Sequence, residues 1–144
     1  MSSDTDLIIE ERLRLLREYL RDLRAEQDVT FDQYREDKKL RRFVERTLQI
    51  AVEACLDIGN HIIASEGFRY PEDNKDIFQV LHEEGIISDE LLPQLIKMAG
   101  FRNIMVHDYA RIDDAVVYGI LKKRLGDFDE YARAIVTYLE SQHE

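Results

Sequence analysis

The sequence predicts an all-α helical bundle of five to six helices around a four-helix core. Three observations carry this. Apolar residues recur at three- and four-residue steps through most of the chain, with charged residues between them. Glycine (6) and proline (2) are scarce, which favours helices over a sheet of short strands. No stretch alternates apolar and polar residues as a half-buried strand does. The 144 residues fit one domain, 1–144, large enough to bury a core without disulfide or metal staples.

The first helix is predicted from Asp6 to about Glu26. Leu7, Leu13, Leu16, Leu20 and Leu23 form its apolar stripe, and Asp4 or Asp6 caps its start. A second, long helix is predicted from Phe31 to Ser65, with Thr30 as its N-cap. Its stripe runs through Leu40, Phe43, Val44, Thr47, Leu48, Ala51, Val52, Cys55, Ile58 and Ile62. Its first half carries Arg35, Lys38, Lys39, Arg41, Arg42 and Arg46. These read first as a solvated face or as ion-paired to Glu36, Asp37 and Glu45, and second as one wall of an RNA groove. Gly67 ends the helix and Pro71 cannot continue it.

Asp73 or Asn74 caps a short helix to Glu84, closed by Gly85. Ser88 caps the next helix, Asp89 to about Val106, with Pro93 in its early turns where it disrupts least. Asp113 or Asp114 starts a helix to Leu125. Gly126 breaks it, and Asp127 caps a last helix to about Ser141. Gly100 and Gly119, inside helices, suggest close helix approach, within the chain or across a dimer.

Composition narrows the function. The formal net charge of −10 taken alone argues against a nucleic-acid binder, whose phosphate contacts need Lys and Arg. The charge is uneven, however: residues 1–46 hold 11 basic and 12 acidic side chains, against 9 and 18 in residues 47–144. The lone cysteine, Cys55, lies among apolar residues and reads as a buried small hydrophobe. No run approaches the ~20 apolar residues of a membrane span. The polar, acidic N-terminus lacks a signal peptide's order, so a cytoplasmic protein is expected. No His, Cys or carboxylate set has convincing metal-ligand spacing, and no Gly-rich phosphate loop is present. The expectation is a protein with no metal and no cofactor of its own; any ATP must be bound by another protein.

One segment carries chemistry: Arg102-Asn103-Ile104-Met105-Val106-His107-Asp108-Tyr109. On an ideal helix Asn103 and His107 share a face, while Arg102 lies roughly 140° from His107 and shares a face with Tyr109. Arg102 and His107 can meet at one phosphate only if the helix ends or distorts near His107, or if a second copy supplies the partner group. Without further context this set also reads as a structural helix end, and Tyr109 as a surface tyrosine. The other histidines read as structural. His61 is a partly buried polar residue that could face the cleft, His82 is an ion-paired surface group, and His143 belongs to a terminal tail.

The segment R-N-I-M-V-H-D-Y resembles the HEPN superfamily, and its R-N-x-x-x-H-x-Y pattern matches the HepT-like branch completely. The resemblance extends over about residues 7 to 140, including the long helix after Glu45-Arg46, the Gly67–Pro71 turn and Gly85-Ile86-Ile87. It implies a homodimeric endoribonuclease toxin of a type VII toxin–antitoxin system. Its implied chemistry is metal-independent attack of an RNA 2′-hydroxyl on the adjacent phosphate. His107 would act as general acid or base, since an imidazole ordinarily titrates near neutrality. Arg102 would stabilise the phosphorane-like transition state. Asn103 would orient His107 or contact RNA. The resemblance also implies an MntA-type minimal nucleotidyltransferase antitoxin that transfers AMP from ATP onto Tyr109. The alternative is a non-catalytic HEPN module that docks such a nucleotidyltransferase, which the net acidity favours. A small-molecule binder ranks last.

Overall fold

In the computed structural model, which describes residues 3–143, the described residues form seven α-helices and a 3-10 turn, with no strand among them. They are α1 (Ser3–Arg24), α2 (Phe31–Glu36), α3 (Lys38–Glu66), α4 (Asn74–Glu83), α5 (Leu92–His107), the 3-10 turn (Tyr109–Arg111), α6 (Asp114–Lys123) and α7 (Leu125–Ser141). Six were expected at most. The extra helix arises because the long second helix is divided at Asp37. Asp37 takes an extended conformation (φ −101°, ψ 97°), and its carboxylate accepts from the Leu40 backbone N–H at 3.0 Å. It thus ends α2 and caps α3. Thr30 caps α2 as expected and forms a full capping box with Gln33.

Three other boundaries differ from the sequence reading. Asp4 and Asp6 lie inside the first turn of α1, so neither caps it. The Ser88 hydroxyl does accept from Leu91 N–H at 3.1 Å, but that turn precedes a helix that begins only at Leu92. The break between α6 and α7 falls at Arg124 (φ −118°, ψ 2°), not at Gly126. Gly126 sits in the first turn of α7, and Asp127 supplies first-turn negative charge rather than a cap. Gly67 and Asp73 behave as expected: Gly67 ends α3 in the left-handed region (φ 69°), and Asp73 caps α4.

α3 is the axis of the bundle. It touches α1, α2, α4, α5 and α6, and α7 reaches it through Tyr131, whose hydroxyl donates to the Cys55 carbonyl at 2.8 Å. A central helix must be apolar over more than one stripe, and α3 buries Val44, Leu48, Ala51, Val52, Ala54, Cys55, Ile58, Ile62 and Ile63. Cys55 is buried as expected. Phe43, assigned to the stripe by spacing, is 40% exposed. Truncating a fully buried member such as Leu48 or Ile58 to alanine would cost about 2–5 kcal/mol.

Within the protomer, the close helix approach is at neither Gly100 nor Gly119. A Cβ on Gly119 meets nothing within 4 Å, and one on Gly100 meets only the Lys75 side chain at 3.5 Å. It is at Gly59, where a Cβ would lie 2.6 Å from Ile77 Cγ2 of α4. That contact seats α4 against α3 and so places Asn74, the first residue of α4, beside α5. No helix among the described residues is long and apolar enough to cross a membrane.

Candidate active site

α5 ends at His107. Asp108 leaves the helical region (φ −149°, ψ 52°), its N–H still bonded to the Ile104 carbonyl at 2.9 Å, and the chain tightens into the 3-10 turn. Met105 and Phe101 are buried and anchor this end of α5. The helix therefore stops where the motif needs it to, but it does not fold His107 back onto Arg102.

Arg102 turns inward against α3. Its Nε and Nη2 each lie 3.0 Å from Glu53 Oε2, and Nη1 donates to Asn103 Oδ1 at 3.4 Å. Asn103 Oδ1 also accepts from Asn74 Nδ2 of α4 at 3.3 Å. Asn103 is thus tied to Arg102 and α4, rather than to the histidine one turn on. Arg102 stands on a cleft of about 480 Å³ between α1 and α3, lined also by Arg12, Tyr19, Glu53, Asp57, Asn60 and Asn74. Arg12 is held there by Asp57 at 2.5 Å. The cleft's two arginines are each matched by a carboxylate, one α-helical turn apart on α3.

His107 does not line that cleft. It is exposed, and its side chain has no hydrogen bond or ion pair among the described residues. A free imidazole at a helix end is available for proton transfer, whereas a core histidine would be tied down. His61, a weaker candidate, lies 3.7 Å from Asp57 on the rim of the same region. His82 pairs with Asp89 at 2.6 Å and His143 with Asp6 at 2.8 Å, so both are surface structural groups. Among the described residues no cluster of three or more His, Cys, Asp or Glu could hold a metal ion.

Tyr109 opens the 3-10 turn and is 42% exposed. Its hydroxyl donates to Glu45 Oε1 at 2.5 Å and accepts from Arg42 Nη1. The Arg42 guanidinium also stacks over its ring, 5.2 Å from the centroid, and pairs with Glu45 at 3.3 Å. Burial, then the neighbouring Glu45 carboxylate, hold the phenol above its ordinary pKa. Glu45 was expected as an ion-pair partner of the basic face, and Arg42 does pair with it, but its side chain is only 5% exposed. The signal was present in the sequence: Glu45 lies three and seven positions before Leu48 and Val52, in phase with the buried stripe. Glu53 and Arg12 carried no comparable signal, because only the packing of α1 and α5 on α3 brings them to Arg102.

The sequence and fold match known proteins over nearly the whole chain. A family profile described as "Ribonuclease HepT-like" matches residues 9–135. The "tRNA nuclease HepT" of Aphanizomenon flos-aquae is 31% identical over all 144 residues, covering 98% of that relative. The "mRNA nuclease HepT" of Shewanella oneidensis is 35% identical over 103 residues, 72% of this chain and 77% of that one. A tri-AMPylated Shewanella oneidensis HEPN toxin, solved in complex with an MNT antitoxin, superposes with a TM-score of 0.84 at 28% identity, covering 95% of this chain and 99% of that one. A toxin–antitoxin structure with AMP-PNP also gives 0.84 at 28% identity, covering 90% and 98%. An all-helical chain that matches this family from its first helix to its last, with the motif at the end of α5, belongs to the HepT-like ribonucleases of the HEPN superfamily.

Proposed function

We propose that residues 1–144 form one HepT-like domain that cleaves RNA as the toxin of a type VII toxin–antitoxin pair. In this reading it acts in the cytoplasm and is silenced by an MntA-type nucleotidyltransferase that AMPylates Tyr109. The supporting observation is the arrangement at the end of α5. A fixed guanidinium stands on a cleft and an unpaired, exposed imidazole lies five residues on, in a family whose named relatives are nucleases.

The chemistry assigns each group a task. His107 takes the proton of a 2′-hydroxyl or returns one to the leaving 5′-oxygen. Arg102 places its planar fork on the non-bridging oxygens as negative charge builds. Asn103, bonded to both Arg102 and Asn74, holds that fork in place. Because His107 lies outside the Arg102 cleft, a homodimer that sets one protomer's histidine beside the other's cleft completes the site. An adenylate on Tyr109, two residues from His107, would add bulk and negative charge where an RNA phosphate must approach. One observation favours the alternative of a non-catalytic docking module: Glu53 already neutralises Arg102.

Expression without a partner separates the two. The wild-type chain should arrest growth and degrade RNA, and His107→Ala and Arg102→Ala should do neither. Intact RNA with the wild-type chain would overturn the toxin reading. Cleavage should persist in a metal chelator, and the mass in solution should be that of a dimer.

A further inference from the structure

We propose that Glu45 is the general base that accepts the phenolic proton when Tyr109 is adenylylated, with Arg42 holding the pair in register. The proposal rests on the reading of Tyr109 as the acceptor and adds the group that makes it reactive.

A tyrosine hydroxyl is a poor nucleophile near neutral pH, since its ordinary pKa is about 10. Here burial and the adjacent carboxylate disfavour the phenolate further. The attacking species is therefore the neutral phenol, and something must take its proton as the bond to phosphorus forms. Glu45 Oε1 is already on that proton, 2.5 Å from the oxygen, a length typical of O–H···O⁻ bonds. The carboxylate is nearly inaccessible to water, while the tyrosine is close to half exposed. A nucleotide can thus approach the oxygen from solvent with the base behind it. Tyr131 and Tyr118, by contrast, donate to the backbone carbonyls of Cys55 and Val29, which cannot keep a proton.

The step balances without any further reactant than ATP. A lone pair of the Tyr109 oxygen forms a bond to the α-phosphorus. The bond from that phosphorus to the oxygen bridging to the β-phosphate breaks, and pyrophosphate leaves with the electron pair. The phenolic proton passes to Glu45 Oε1. Arg42, half exposed and bonded to both oxygens beforehand, then faces the new phosphodiester anion.

The test follows the first adenylate addition by intact mass, using the full chain, an MntA-type nucleotidyltransferase and ATP. Glu45→Gln, which keeps shape and hydrogen bonding but cannot take a proton, should slow addition about 100-fold at neutral pH. The gap to wild type should narrow as pH rises, because hydroxide replaces the missing base. Glu45→Asp, its carboxylate withdrawn by one methylene, should be intermediate and keep the wild-type pH profile. Addition to Glu45→Gln at the wild-type rate, or slowed by a factor that does not change with pH, overturns the proposal. If Glu45→Gln does not unfold cooperatively, Glu45→Asp reacting at the wild-type rate overturns it instead. No adduct on the wild-type chain, or an adduct kept by Tyr109→Phe, refutes the acceptor reading itself and this proposal with it.

Discussion

Alanine at Gly59 should destabilise the fold by driving α4 away from α3. The new Cβ would stand 2.6 Å from Ile77 Cγ2, 3.3 Å from Leu81 Cδ1 and 3.4 Å from the Tyr131 hydroxyl. Carbon atoms in contact sit about 3.5–4.0 Å apart, so Ile77 must retreat by roughly 1 Å. Its Cγ2 is attached directly to Cβ and the side chain is stiff at χ1, so the backbone of α4 must move with it. Overpacking of this kind costs about 1–3 kcal/mol. Replacing a mid-helix glycine also gains about 1 kcal/mol of helix propensity, which partly masks the clash. Gly119→Ala removes that ambiguity, because it makes the same exchange inside α6 with nothing within 4 Å. Urea unfolding of the two variants should therefore differ by about 1–3 kcal/mol, with Gly119→Ala the more stable. At about 4 °C per kcal/mol, thermal midpoints should separate by roughly 4–12 °C. RNA cleavage by Gly59→Ala should fall as well, since α4 carries Asn74, which braces Asn103 against Arg102. Equal stabilities for the two variants would refute the close-approach argument.

Tyr109→Phe leaves the buried Glu45 carboxylate with Arg42 alone, and losing a hydrogen bond to a charged group should cost about 1.5–3 kcal/mol in chemical unfolding. The Arg69 guanidinium and the Glu72 backbone N–H hold the Asp76 carboxyl down at about 2, from an ordinary 3.8. A depressed folded-state pKa adds stability above pH 3.8 that is lost as pH falls towards about 2, so Asp76→Asn should flatten the acid limb of the stability curve there. Glu53→Gln, introduced into the His107→Ala background, should tighten RNA binding and steepen its salt dependence by freeing the Arg102 charge; unchanged or weaker binding would show that Glu53 serves only to orient Arg102.

Periodicity made most of the fold legible. Leu13, Leu16, Leu20 and Leu23 of the α1 stripe are buried, although its first member Leu7 is exposed; Gly67 ends α3, and Pro93 sits in the first turn of α5. What spacing alone could not give were features decided by competition between neighbours. One helix was expected through Asp37, although residues 35–39 are all charged; the Asp37 carboxylate instead takes Leu40 N–H and caps α3, and Tyr34 is fully buried. Gly126 looked like a breaker but is tolerated in a first turn, so the break moved to Arg124. The motif itself was visible as a string of residue types. Its partners were not, because Glu45, Glu53 and Asn74 lie 64, 49 and 29 residues away in sequence from the groups they hold.

Those partners also change how the net charge reads. An acidic chain seemed a poor candidate for binding RNA. Yet the carboxylates that matter are placed one by one: Asp57 on Arg12, Glu53 on Arg102, Glu45 on Tyr109 and Arg42. All three belong to α3. Glu45 and Glu53 are eight residues apart, about 12 Å along the helix, so α3 fixes the spacing between the arginine proposed to bind phosphate and the tyrosine proposed as its off-switch. His107 touches neither glutamate. The group proposed to move protons is thus the one that α3 leaves unrestrained, at the point where α5 has just ended. On the proposed roles, a site divided this way has its charge-stabilising half built into the protomer and its proton-transfer half presented outward. That division suits completion by a second copy, and it explains why modifying a residue two positions from His107 would reach the chemistry without touching Arg102.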